Sequence, residues 1–209
     1  DINPLFAGPS GVIAVDARIS IAQAPSSQDR YDHVAIHPYP RHLVSHHHLP
    51  DGTPLTIRPI RPEDAENEAA FVRRLSPKAK RFRFMGALRE LTNEMLVQFT
   101  QIDYRTEMTL IAAIEGKTPR QVGVARYAIN PDEVSCEFAI VVSDDLQHQG
   151  IGTMLMQALM KNASDKGLTR IEGTVLRDNE DMLDLMRGLD FEQSMSVDDP
   201  DIILVSRAL

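Results

Sequence analysis

The chain has 209 residues, 43% of them apolar, which is enough for one domain with a real core plus an appendage. Its formal net charge of −8 argues against a nucleic-acid partner, because phosphate backbones are held by clustered Lys and Arg. A single cysteine, Cys136, excludes a disulfide within the chain; together with the absence of a secretory apolar segment or an apolar run of about eighteen residues, it predicts a soluble protein of the reducing cytoplasm, not a membrane one.

Asp1-Ile2-Asn3-Pro4-Leu5 reads as a strand already under way, with no initiator Met. Gly8-Pro9-Ser10-Gly11 turns it, and Val12 to Ile19 returns as a second strand. A lone hairpin is too small to stand by itself. Residues 22–52 are linker-like, with Pro25, Pro38, Pro40 and Pro50, a Ser-Ser-Gln-Asp run and six of the seven histidines. His46-His47-His48 carries metal-binding chemistry, but adjacent side chains point apart and no nearby Cys or spaced carboxylate completes a shell, so no metal site is expected.

A domain is expected over residues 53–209. Pro54 to Pro59 alternates as a strand, and Arg61-Pro62-Glu63-Asp64 opens a helix with Pro and acids in its first turn, where the dipole favours them. Phe71, Val72 and Leu75 form its apolar stripe. Ser76-Pro77 ends it and starts a second helix that leads into Arg81-Phe82-Arg83-Phe84, and Thr92-Asn93-Glu94 starts a third. Met108 to Glu115 and Val122 to Ile129 pair as strands. Asn130-Pro131-Asp132-Glu133 then turns the chain into a strand over Cys136 to Val142, apolar apart from Glu137.

After Ser143-Asp144-Asp145 comes Gln147-His148-Gln149-Gly150-Ile151-Gly152, followed by Leu155, Ala158, Leu159 and Ala163 at helical spacing. A helix N-terminus offers free N–H groups and partial positive charge, and glycines let an anion approach the backbone, so this strand, turn and helix are suited to a phosphate. No Lys follows the second glycine, as a Walker A loop requires, and a dinucleotide fingerprint needs a third glycine. Taken alone, the six residues are equally compatible with an ordinary turn between strand and helix. Gly167 stops the helix, Arg170 to Val175 is a strand, Asn179 begins a further helix, and Phe191 to Val197 and Ile202 to Ser206 are the last strands. The sum is a mixed α/β domain with its ligand beside a central strand.

The pattern Gln-x-x-Gly-x-Gly at a helix start, ten residues after Glu137, resembles the acetyl-CoA pyrophosphate loop of the Gcn5-related N-acetyltransferases, the GNAT family. RPIRPEDA, RFRFMGALREL, CEFAIVV and QHQGIG together look like the bacterial protein lysine acetyltransferases of the Pat type. DINPL and GVIAVDARI resemble the last hairpin of an ATP-grasp domain from ADP-forming acyl-CoA synthetases, where positions matching Asn3 and Asp16 help hold Mg-ATP. With the body of that domain missing, residues 1–21 are expected to bind no nucleotide, and the chain is expected to be the C-terminal part of a longer protein.

The resemblance implies a splayed central sheet, acetyl-CoA as cosubstrate, Glu137 as the catalytic residue, and a protein lysine as acceptor, with AMP-forming acetyl-CoA synthetase as the target. The backbone of Gln149, Gly150, Ile151, Gly152 and Thr153 would wrap the pyrophosphate, helped by Gln147 and flanked by His148. Ile140, Val141 and Val142 would hydrogen-bond the pantetheine arm, with an N–H near Ile140 or Val141 donating to the thioester oxygen; Asn179 and Met182 would complete the cofactor contacts. Alternation places Glu137 with Ser135 and Ala139 on one strand face; the alternative is a solvent-facing acid or a partner of Arg126. Arg81, Phe82, Arg83 and Phe84 are candidates for acceptor contact or for plain helix packing. Two departures stand out: Met186 occupies the place of the family's proton-donating Tyr, so no dedicated general acid is expected, and Asp190 replaces the usual Gly before Phe191. Competing readings are an acetyl-CoA sensor without chemistry and an acetyltransferase for small amines; a homo-oligomer is compatible with either.

Overall fold

In the computed structural model, residues 2, 4–9, 11–19, 37–86, 88–116 and 119–209 are described. Two compact units are present, Asp1–Ile36 and His37–Leu209. In the first, β1 (Leu5–Gly8) and β2 (Gly11–Ala14) pair antiparallel as the turn residues predict, extended by a bridge between Ile2 and Ala17. Asn3, Ser10 and the linker stretch 20–36 lie outside the described residues.

The second unit is built on eight strands, β3 (Ser45–His48), β4 (Pro54–Pro59), β5 (Glu107–Ile114), β6 (Arg120–Ile129), β7 (Ser135–Val142), β8 (Arg170–Leu176), β9 (Glu192–Met195) and β10 (Ile202–Ala208). Their order is β3-β4-β5-β6-β7-β8-β10-β9. Among the described residues, β7 and β8 are the only neighbouring strands that run parallel. The triple-histidine segment corrects the linker expectation: Ser45–His48 is an edge strand on β4, with His46 Nδ1 3.0 Å from Thr56 Oγ1 and His47 Nε2 2.9 Å from Ser45 Oγ. A run of histidines carries no strong strand signal, and it is the backbone ladder to β4 that places it.

Helices cover both faces. α1 (Ala65–Arg74), α2 (Pro77–Phe84) and α3 (Asn93–Thr100) lie before β5 in sequence. Ser76 and Thr92 accept from the N–H of Ala79 and Met95 and so cap α2 and α3. Phe71, Val72 and Leu75 pack with Ile111, Val124 and Val141 on this face. α4 (Ile151–Asp165) covers the opposite face, where Leu155, Met156 and Leu159 are buried against Cys136, Phe138 and Ile140. α5 (Glu180–Gly188) packs beside it and buries Met186. Asp190 holds a left-handed φ of 58°, the conformation a glycine would take at no cost.

Candidate active site

β7 and β8 begin as neighbours and then part. Their ladder has three pairs, Ser135↔Arg170, Cys136↔Ile171 and Glu137↔Glu172, although β7 continues to Val142 and β8 to Leu176. The wedge is Phe138. Its ring lies where a side chain on Gly173 would be, since a Cβ there would sit 2.6 Å from Cε1, and it meets Phe191 edge-to-face at 5.5 Å. From Phe138 onward the side of β7 toward β8 has no strand partner.

Which backbone groups face the gap follows from alternation. Ser143 N–H donates to Val122 on β6, and Ser135 C=O accepts from Asn130, so odd-numbered residues of β7 direct their backbone toward β6. Phe138, Ile140 and Val142 therefore aim theirs into the gap. Of the two residues considered for the thioester contact, Ile140 has the free direction; Val141 is committed to β6 and contributes its side chain to the core below α1.

Beyond Val142 the chain makes a short 3-10 turn, Asp144–Leu146, and reaches α4 through left-handed residues at His148 (φ 59°) and Gly150 (φ 81°). Such alternation turns successive N–H groups toward one concavity, which suits an anion. The first intrahelical bond runs from Met154 N–H to Gly150, leaving Ile151, Gly152 and Thr153 N–H unused by the helix. The two glycines do different things. A Cβ on Gly150 would meet nothing within 4 Å, whereas one on Gly152 would lie 3.1 Å from Leu185 Cδ2, so Gly152 lets α4 press against α5.

The gap and the loop bound a cleft of about 470 Å³, with α2 on one side and α5 on the other. Ile140, Val141, Val142, Gln147, His148, Gly150, Ile151, Gly152, Thr153, Asn179 and Met182 all line it; Gln149 does not. Asn179 also caps α5 by accepting from Met182 N–H. Of the four residues at the end of α2, Phe82 and Arg83 face the cleft. Arg81 instead forms an ion pair with Asp178 at 2.7 Å, and Phe84 stacks on Phe99 at 6.5 Å.

Lys78 is a cleft residue that the sequence reading passed over, although its i, i+4 spacing to Phe82 was available. α2 is fastened to the loop by Ser76, whose N–H and Oγ donate to Asp144 at 2.9 and 2.6 Å.

Glu137 sits at the last paired position before the strands divide, exposed, on the face away from α4. Arg126, its alternative partner, is held by Glu107 at 3.0 Å. Cys136 is buried, which pushes its thiol up to about 12 and removes it as a nucleophile at neutral pH.

A sheet opened beside a parallel pair, with a helix N-terminus at the mouth of the opening, defines an acyl-CoA transferase of the N-acetyltransferase class. Residues 78–191 match the Acetyltransferase (GNAT) family. Acetyltransferase PA5475 of Pseudomonas aeruginosa is 36% identical over 162 residues, 77% of this chain and 87% of that protein. Acetyltransferase Pat of Mycolicibacterium smegmatis is 30% identical over 131 residues, 62% of this chain but 39% of that protein. The GNAT domain of S. lividans PAT superposes with a TM-score of 0.76 at 24% identity, covering 82% of this chain and all of that one. The chain belongs to the GNAT family and is an acetyl-CoA-dependent N-acetyltransferase.

Proposed function

We propose that the protein acetylates a lysine ε-amine on a protein substrate, with AMP-forming acetyl-CoA synthetase as its target and Glu137 as general base. The observation that carries this reading is the place of Glu137, at the point where β7 leaves β8 and with no hydrogen-bond partner for its carboxylate among the described residues. A lysine amine has a pKa of about 10.4 and is almost wholly protonated at neutral pH, so a carboxylate must take a proton before attack. Ile140 N–H would donate to the thioester oxygen as charge develops there. Having given one proton to Glu137 directly or through a water, the amine nitrogen bonds to the acetyl carbon as the C–S bond breaks, and the second proton it sheds passes through water to the departing CoA sulfur. Met186, buried in the core, supplies no proton to the departing sulfur.

The loop fits the cosubstrate. Its unused N–H groups and the open space over Gly150 suit a pyrophosphate, and Ile140 and Val142 suit the amides of an extended arm. A cationic acceptor is supported by the sheet itself. Glu107, Ala128, Glu137, Glu172, Ser206 and Glu192 are successive register partners across six strands, which puts four carboxylates in one transverse row on one face; Arg126 pairs with Glu107 and Arg170 with Glu172, which leaves Glu137 and Glu192 to meet a cation. Similarity to Acetyltransferase Pat of Mycolicibacterium smegmatis, with the Pat-like motifs of the sequence, supports a protein over a small amine as substrate. We also propose that residues 1–21 are an ATP-grasp-like hairpin appended to the transferase, on the strength of their sequence pattern.

Incubation of the protein with acetyl-CoA and purified AMP-forming acetyl-CoA synthetase tests the reading. One acetylated lysine in the synthetase, with loss of its activity, is the expected result; no transfer to it would remove the target assignment.

A further inference from the structure

Arg83 is unused by the reaction just described. It stands in the last turn of α2, about 7–8 Å along the helix from Lys78. It forms part of the wall of the main cleft and of a narrow extension of about 40 Å³ bounded by Phe138, Ala139 and Thr174, where the strands have just parted. The extension includes no residue of the phosphate loop, so Arg83 is at the acyl end of the cleft.

Neighbouring arginines are matched: Arg126 with Glu107 at 3.0 Å, Arg81 with Asp178 at 2.7 Å, and Arg58 with Asp64 at 2.6 Å. Among the described residues Arg83 has no hydrogen-bond acceptor and no carboxylate at ion-pair distance; its contact is the Phe84 ring, 5.1 Å away. Glu68 lies nearby but accepts from Gln121. Burial, and then the charge of Arg126, push the Arg83 guanidinium down to about 10, partly offset by Glu68, so it remains a cation at neutral pH.

Arg83 is half-buried in the cleft wall with its donors unmatched by any acceptor among the described residues, and the partner that satisfies most of them at once is a carboxylate held bidentately. A thioester carbonyl would engage a single oxygen, and Ile140 N–H already faces that position. Resting on the cleft's reading as an acyl-CoA site, we propose that Arg83 recognises the far end of the acyl group, so that the protein also takes CoA thioesters whose chain ends in a carboxylate, of the malonyl or succinyl kind. In transfer, the ammonium gives one proton to Glu137, the amide C–N bond forms as the C–S bond breaks, the second amine proton passes through water to the CoA sulfur, CoA leaves as the thiol, and the terminal carboxylate stays on Arg83 unchanged.

Calorimetric titration of the full chain with acetyl-, butyryl- and succinyl-CoA tests this, since the last two are equal in length and differ in the terminal group. The expected result is succinyl-CoA binding about tenfold tighter than butyryl-CoA, a ratio falling to about one in Arg83→Gln and to an intermediate value in Arg83→Lys. Thermal melts establish that each variant is folded. Equal binding of the two by the wild type, or a preference kept by Arg83→Gln, would overturn the inference while acetyl-CoA binding left the cleft standing. Binding of none of the three would overturn both.

Discussion

Glu137 and Glu68 are two carboxylates with opposite surroundings. Glu137 is exposed at the fork of the sheet, and if it is the general base proposed above, its replacement by Gln should lower kcat/KM by about 10²–10⁴-fold, read as initial rate against acceptor concentration. A loss under tenfold would mean that another group takes the proton. Glu68 is 4% exposed, and burial raises its carboxyl above the usual range despite the bond from Gln121. The folded chain then holds that proton more tightly than the unfolded chain. The contribution to stability is full below the unfolded value of about 4.3 and is lost as pH rises through the raised folded value. Glu68→Gln, which stays neutral, should differ little from wild type near about pH 4 and be progressively more stable toward neutrality, measured as the urea midpoint.

At the level of elements, the fork depends on a large residue facing an absent one. A methyl on Gly173 would be driven into the Phe138 ring, so Gly173→Ala should cost about 1–3 kcal/mol by overpacking and weaken acetyl-CoA binding together with the melting temperature. The phosphate loop separates those two effects differently. Gly150→Ala places a Cβ at φ 81°, costing about 1–2 kcal/mol, and also puts a methyl into the open space over the loop. Affinity measured by titration should fall about tenfold, more than the change in melting temperature alone accounts for. Periodicity and caps made α1 to α5 and β4 to β8 legible in the sequence, because Ser76, Thr92 and Asn179 announce helix starts and Gly167 a stop. The β3 strand was not, since its pairing with β4 is a long-range choice that histidines do not advertise.

For the molecule as a whole, the loop and its strand were visible as a motif, but the shape of the cleft was not. The Gly173 and Phe138 contact lies between residues 35 apart in sequence, and no local pattern foretells which backbone side of β7 is left free. The same holds for α2: the family resemblance offered Arg81 to Phe84 as one group, and long-range contacts, Ser76 with Asp144, Arg81 with Asp178 and Phe84 with Phe99, accompany the turning of Phe82 and Arg83 into the cleft. The pattern of free and paired backbone along β7 is the basis on which the anchoring of acetyl-CoA and the role of Glu137 both stand. A crystal structure of the protein with acetyl-CoA tests it most directly. The pyrophosphate is predicted within hydrogen-bond reach of the N–H groups of residues 150–153, with the thioester between β7 and β8 beside Ile140. A cosubstrate lying along any other strand, or phosphates bound away from the start of α4, would contradict it.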